Sequence, residues 1–313
     1  MGTKEYFSRT LFMKGRRIME TCTINARAKI NLTLEIFDRR KDGYHDMRSV
    51  MHKIGLCDIV KVTVDTERTD ENAGEIRVIC SKYVCAEKDN LAYKAADSFM
   101  SLYYKKTGKI ASCIIEIEKN IPDKAGLGGG SADCAAVLDA LTKLLGVITE
   151  KEKEEMAAYL GSDVPFMLEK YDCALATGTG TTLQKLPMMP MCYCVTGTPD
   201  KGLSTRDIYD LFDEKKHVVP NVKANSLISA LEQEDFGRIC DNIVNQFEPI
   251  CIHEVSEIGK IKKCLLKSGA YAAQMSGSGS AVFGIFADKE QAEAAYRALG
   301  TLPFDVRRSV CKI

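Results

Sequence analysis

The chain carries no surplus of either charge: 43 Lys and Arg stand against 43 Asp and Glu. That balance supplies no long-range field to gather nucleic acid or an anionic membrane surface, so neither is expected as a partner. Long apolar runs are missing too, and nothing reaches the length of a bilayer span. The opening residues, MGTKEYFSRTLFMKGRRIME, have apolar runs too short for a secretory signal, and no small-residue cleavage site follows. Residues 1–18 are expected to be a disordered leader, or to precede a true start at Met19, and the chain to be cytoplasmic. Cysteine is plentiful, at thirteen, but the pairing that would give it metal chemistry is absent. No CxxC occurs; the nearest approach, Cys192-Tyr193-Cys194, has the alternation of a strand. The four histidines show no ligand spacing toward these cysteines. Reduced thiols and no metal site are expected, with Cys80, Cys113, Cys134 and Cys173 serving as small hydrophobes inside apolar stretches.

What is present is an ordinary globular composition, 45% apolar and 27% charged over 313 residues, enough for one large domain or two smaller ones. TCTINARAKINLTLEIF alternates β-branched and polar residues, as a strand does. RRKDGYHDMRSV interrupts it as a turn-rich loop, and IVKVTVD and EIRVIC resume the strand pattern. NLAYKAADSFMSLYYKK has helical spacing, ASCIIEIEKNI ends a strand at Pro122, and SADCAAVLDALTKLL and TEKEKEEMAAYLG follow as helices. Later segments alternate strands, turns and helices, ending in DKEQAEAAYRAL and DVRRSVCKI. No repeat or low-complexity linker is visible. The pattern is α+β, with a division near residues 170–180.

The stretch IPDKAGLGGGSADC places Gly126, Gly128, Gly129 and Gly130 between a strand and a helix. Glycine costs conformational entropy, so the backbone must either turn through positive φ or be approached very closely. A strand, a glycine turn and a helix start present unpaired N–H groups and a positive dipole end, which suits phosphate. Ser131 or the glycine before it can cap the helix, and Asp133 suits its positive end. No Lys-Ser or Lys-Thr follows the glycines, which excludes a P-loop. The match to a dinucleotide fingerprint is partial and lacks its acidic ribose ligand. A helix packed too closely for any side chain is the structural alternative.

PDKAGLGGGSADCAAVLDAL resembles the phosphate-binding motif of the GHMP kinases. ARAKINLTLEIFDRRKDGYHDMRSVMHKIGLCD, LGSDVPFML and MSGSGSAVFGIF are similar to further motifs of that family, with LSTRDIYDLFD and NQFEP between them in the right order. The resemblance spans roughly residues 23 to 286. It implies a two-domain α+β fold: a ribosomal-protein-S5-like α/β domain over 19–176 and a ferredoxin-like domain over 177–313. It also implies an ATP- and Mg²⁺-dependent kinase. The branch it points to phosphorylates the 2-hydroxyl of a small cytidylyl substrate, 4-diphosphocytidyl-2-C-methyl-D-erythritol, in non-mevalonate isoprenoid synthesis. The alternatives are another small alcohol as acceptor, or a sensor that binds nucleotide without catalysis. A monomer or homodimer is expected.

Residue by residue, the resemblance makes Asp163 of GSDVP the base that takes the acceptor's proton, where spacing alone allows a turn or cap aspartate. Lys29 and Asn31 of ARAKINL share one strand face opposite Ala28, Ile30 and Leu32. By resemblance Lys29 stabilises developing charge and Asn31 binds substrate; a solvated face is the alternative. Tyr44 and His45 of DGYH would hold the cytidine, with Tyr209 closing an aromatic sandwich; ordinary loop and helix packing would explain the same residues. The ATP site implied comprises Asn90, equally a good N-cap, and the loop Pro122, Lys124, Ala125, Gly126, Leu127, Gly128, Gly129, Gly130 and Ser131. Lys124 stands where the family usually has a small residue, and either contacts phosphate or points to solvent. Ser276, Gly277, Ser278 and Gly279 would line the active site near the substrate phosphates, or form a plain hairpin turn.

Overall fold

The structure, a computed structural model, describes residues 8–14, 17–215 and 224–313. The chain forms two compact units, each assembled from separate stretches. The first takes the chain up to Arg27, then Cys57–Ile121 and Gly129–Glu169; the second takes Ala28–Leu56, Pro122–Gly128 and Lys170–Ile313. The boundary expected between residues 176 and 177 falls inside the strand Cys173–Gly178, within the second unit.

In the first unit, alternation does what the sequence pattern predicts. Cys113, Ile115 and Ile117 of the strand Ser112–Glu118 are buried, with less buried residues between them. This strand pairs antiparallel with residues 59–65 and parallel with Ile76–Cys80. The helix Leu91–Thr107 starts at Asn90, whose side chain accepts from the Ala92 N–H, and stops at Gly108 in the left-handed region. The helix Glu150–Leu160 opens with a capping box, Thr149 and Glu152 satisfying each other's backbone N–H groups. These helices and Gly129–Leu145 bury Phe99, Leu138 and Leu141 against Val60, Val62 and Ile115.

The second unit contains a four-stranded antiparallel sheet in the order Ala272–Met275, Val282–Phe286, Tyr193–Pro199, Val306–Lys312. In chain order, the helix Ser256–Lys267 lies between its first and second strands, and Lys289–Leu299 between its third and fourth. That is the βαββαβ path of a ferredoxin-like layer. Phe283, Phe286, Ile258 and Ile261 are fully buried there. The same unit holds the strand Thr33–Arg39, residues 45–56 of the strand His45–Asp65, and the hairpin Cys173–Gly178 with Thr182–Lys185.

Three sequence expectations meet a different arrangement. RRKDGYHDMRSV is a loop only over residues 40–44: Arg39 ends the strand Thr33–Arg39, and from His45 the chain is strand again, because His45 pairs with Arg39 and residues 47–52 with Cys173–Gly178. Within the leader expected to be disordered, Ser8–Lys14 is a strand paired antiparallel with Arg17–Thr23; residues 1–7, 15 and 16 lie outside the described residues. The helix after the glycine loop begins at Gly129, so Ser131 lies inside it and the cap position falls to Gly128.

Phe99 is fully buried at the centre of the first unit's core. Phe99→Ala is expected to lower stability by about 3–5 kcal/mol, the cost of lost burial plus a cavity. Equilibrium denaturation of the two proteins checks it.

Candidate active site

The glycine loop is shaped by another backbone. A Cβ at Gly126 would stand 2.1 Å from the Ser276 carbonyl oxygen, and φ there is +75°. Both conditions demand glycine. The contact is reciprocal, since a Cβ at Gly277 would lie 3.2 Å from the Gly126 Cα. The Ser276 hydroxyl donates to the Gly126 carbonyl at 2.9 Å, and the Ala281 N–H to the Ala125 carbonyl at 3.0 Å. SGSGS is a hairpin turn, joining the paired strands Ala272–Met275 and Val282–Phe286, and it also packs on Ala125 and Gly126. Pro122 is half-buried, Leu127 is buried, and Lys124 is exposed with its backbone at φ +49°.

Lys29 and Asn31 lie beside this loop. The Lys29 N–H donates to the Leu127 carbonyl at 2.9 Å, and its ammonium to the Asn31 side-chain oxygen at 2.7 Å. Asn31 donates to Ser49 Oγ at 2.8 Å, while its backbone N–H reaches Ser276 Oγ at 3.3 Å. Ala28, Ile30 and Leu32 fill the opposite face, and Lys29 and Asn31 are themselves only 4% and 3% exposed. The solvated-face alternative therefore fails for both residues. An amine and an amide are held side by side against a glycine loop, a setting in which charge acts with little screening.

In the same unit His45 is buried, its Nε2 at 2.8 Å from Asp213 Oδ1. A carboxylate only accepts, so Nε2 carries the hydrogen. The His45 ring packs on Tyr209 at 5.0 Å and edge-on to Phe212, and Tyr209 meets Phe247 edge-on at 4.8 Å. Tyr44 is 68% exposed. The helix Thr205–Lys215, which carries Tyr209 and Asp213, is joined to the SGSGS loop by a hydrogen bond between the Thr205 and Ser278 hydroxyls at 2.8 Å.

In the first unit Gly129 and Gly130 open the helix Gly129–Leu145. Its first N–H groups have no partner within the helix, and its positive end favours an anion. Asn90 acts as the cap of its own helix through Oδ1, and its amide donates to Cys80 Sγ at 3.6 Å. Asp163 precedes the helix Val164–Leu168 and makes no side-chain cap to it. The cap alternative for Asp163 is thereby removed. Among the described residues no cluster of three His, Cys, Asp or Glu side chains could hold a metal ion, and all thirteen cysteines are free thiols.

Two residues that matter to the site had no role in the sequence reading. Asn245, fully buried, donates to the carbonyls of Met275 and Gly277, both at 2.8 Å, and accepts from the Phe247 N–H. Glu248 accepts from the Met275 N–H at 3.0 Å and pairs with Lys262. NQFE thus anchors the SGSGS loop from below. The signal is the motif NQFEP itself, which gives a position in the chain but not the carbonyls it holds. Asn245→Ala is expected to cost about 1–3 kcal/mol for each carbonyl left unpaired. A fall in the denaturation midpoint, together with weaker nucleotide binding, is the outcome to look for.

Family models describe the same chain. The model of the GHMP kinases N terminal domain matches residues 90–170, and that of GHMP kinases C terminal matches residues 227–303. A protein of Caldanaerobacter subterraneus subsp. tengcongensis named 4-diphosphocytidyl-2-C-methyl-D-erythritol kinase is 39% identical, over 90% of this chain and 94% of that protein. One of the same name from Desulfitobacterium hafniense is 41% identical, over 86% of this chain and 88% of its own. A crystal structure of 4-(cytidine 5'-diphospho)-2C-methyl-D-erythritol kinase superposes with a TM-score of 0.74 at 29% identity, covering 93% of this chain and 98% of the other. With a glycine loop, a buried lysine beside it and a ferredoxin-like layer in place, the chain belongs to the GHMP kinases.

Proposed function

We propose that this chain is an ATP-dependent kinase that phosphorylates the 2-hydroxyl of 4-diphosphocytidyl-2-C-methyl-D-erythritol, a step of non-mevalonate isoprenoid synthesis. The observation that carries the reading is the buried Lys29–Asn31 pair, fixed to the glycine loop through Leu127, in a chain whose relatives bear that enzyme's name.

Phosphoryl transfer asks a protein mainly for positioning and charge stabilisation. In this proposal the backbone of residues 122–131 holds the ATP phosphates, with Asn90 toward the adenine, and Ser276–Gly279 lie near the substrate phosphates. The acceptor oxygen bonds to the γ-phosphorus as the bond to ADP breaks. Asp163 takes the hydroxyl proton, and Lys29 balances the charge that develops on the transferred group. Asn31 orients the acceptor. Mg²⁺ bound with ATP would neutralise phosphate charge; among the described residues no group of three His, Cys, Asp or Glu side chains could hold it, and no side chain is assigned to it.

Tyr44, His45 and Tyr209 are assigned to the cytosine. Tyr44 exposes a ring face on which a base can stack, and the Asp213 bond fixes the orientation of the His45 ring. No helix among the described residues is long and apolar enough to cross a membrane. Thirteen free thiols suit a reducing compartment, for which the cytoplasm is our assignment.

Incubation with Mg-ATP and the cytidylyl alcohol, with homoserine and mevalonate in parallel, tests the reading by mass spectrometry. Phosphorylated product is expected from the cytidylyl alcohol alone; product from another acceptor instead would overturn the substrate. Asp163→Asn is expected to lower kcat by about 10²–10⁴-fold, and a variant turning over at the parental rate would remove Asp163 from its role. Tyr44→Ala is expected to weaken the cytidylyl acceptor by about 1–3 kcal/mol, through lost stacking, while the KM for ATP stays put.

A further inference from the structure

A buried ion cluster in the first unit has no part in the chemistry above. Lys119 places its ammonium 2.5 Å from Asp58 Oδ2 and 2.7 Å from Asp133 Oδ2. Exposure is 7% for Lys119, nil for Asp58 and 3% for Asp133. Asp58 also accepts, through Oδ1, from the N–H groups of Asn120 and Ile121 at 2.6 and 2.8 Å. A Cβ on Gly129 would stand 2.9 Å from the Ile121 side chain and 3.5 Å from the Lys119 ammonium.

These contacts share one location. Residues 119–121 lead into the glycine loop and Gly129 opens the helix that leaves it, so the cluster grips both ends of the loop. One ammonium meets two carboxylates, and Asp133 Oδ1 is buried with no hydrogen-bond partner. Balanced charge would need only one of the two acids. We propose that Lys119, Asp58 and Asp133 are positioning residues for the phosphate loop. On this proposal the cluster sets how strongly the loop and its helix start attract ATP, and the charge on Asp133 tunes that attraction.

The sign follows from electrostatics. Ionised Asp133, the fifth residue of the helix Gly129–Leu145, adds an unbalanced negative charge that competes with phosphate for the positive helix end. Protonated Asp133 leaves Lys119 and Asp58 as a neutral pair. Burial pushes the Asp133 carboxyl up to about 7, with Lys119 opposing and Asp58 adding to the rise. Burial works against the Lys119 ammonium, yet the two carboxylates hold its proton more tightly than usual. The other titratable groups facing Asp133 are the Cys80 and Cys134 thiols, whose proton affinities burial also raises, so they stay neutral as Asp133 titrates. Asp133 in the unfolded chain ionises near 3.8. The folded state therefore loses stability as pH rises from there through about 7.

The inference rests on the glycine loop holding ATP. Its test compares the parent with Asp133→Asn, which keeps shape and removes the titration. KM for ATP, KM for the alcohol and kcat are measured from about pH 6 to about pH 8.5, with melting in parallel. The parent's KM for ATP, divided by the variant's, is expected to rise several-fold across this range. Taking the ratio cancels the titration of ATP itself. The ratio of alcohol KM values is expected to stay level, and the variant to melt at or above the parent at the alkaline end. Lys119→Met is expected to raise the KM for ATP, and Lys119→Arg to recover part of it. A flat ATP ratio in an active enzyme would overturn the inference and leave the kinase reading intact. Absence of any ATP turnover or binding by the parent would overturn both.

Discussion

The contact between the backbones at Gly126 and Ser276 is the constraint on which the second unit's site depends. No side chain fits at Gly126, because its Cβ would enter the Ser276 carbonyl. Once the two loops touch, the rest is determined by what can bond to them. Ser276 bonds to Gly126 and receives the Asn31 N–H, Leu127 receives the Lys29 N–H, and Asn245 holds the far side of SGSGS. A lysine ammonium and an asparagine amide are then immobilised where burial keeps water from screening them. Pre-organised charge of this kind is what phosphoryl transfer needs most from a protein.

Around that seam most buried polar groups have partners, although the Ser280 hydroxyl has none. Ser49 accepts from Asn31 and donates to the Thr33 carbonyl. Glu248 is nearly buried and takes both the Met275 N–H and the Lys262 ammonium. Lys119 satisfies two acids at once in the other unit. Among the carboxylates of these groups, the unpartnered Oδ1 of Asp133 is the exception.

Much of this was legible in the sequence, and the reasons are specific. Strand alternation put Lys29 and Asn31 on one face, because side chains alternate whatever the strand packs against. It could not say whether that face meets water or a loop. The glycine loop declared its need for close approach, but not that Ser276, 150 residues away, makes the approach. Lys119, Asp58 and Asp133 look like ordinary solvated charges in a chain that is over a quarter charged, since 61 and 14 positions separate the partners. Asn245 was hidden similarly, by carbonyl partners about thirty positions on. Units built from interleaved stretches also escape a reading that divides the chain at one point. The strand beginning at His45 escapes the sequence because its partners at residues 173–178 are more than a hundred positions away.

The hydrogen bond from Asn31 to Ser276 joins residues 245 positions apart. During synthesis the glycine loop leaves the ribosome well before SGSGS exists to back it. Until residues 275–277 have been made, Gly126 has no Ser276 carbonyl to rest against, and Asn245 has no Met275 or Gly277 carbonyl to bind. A ligand that needs this seam intact therefore cannot template the early steps of folding. A chain truncated before Met275 would retain the glycine signature in full and lack the surface that gives it shape.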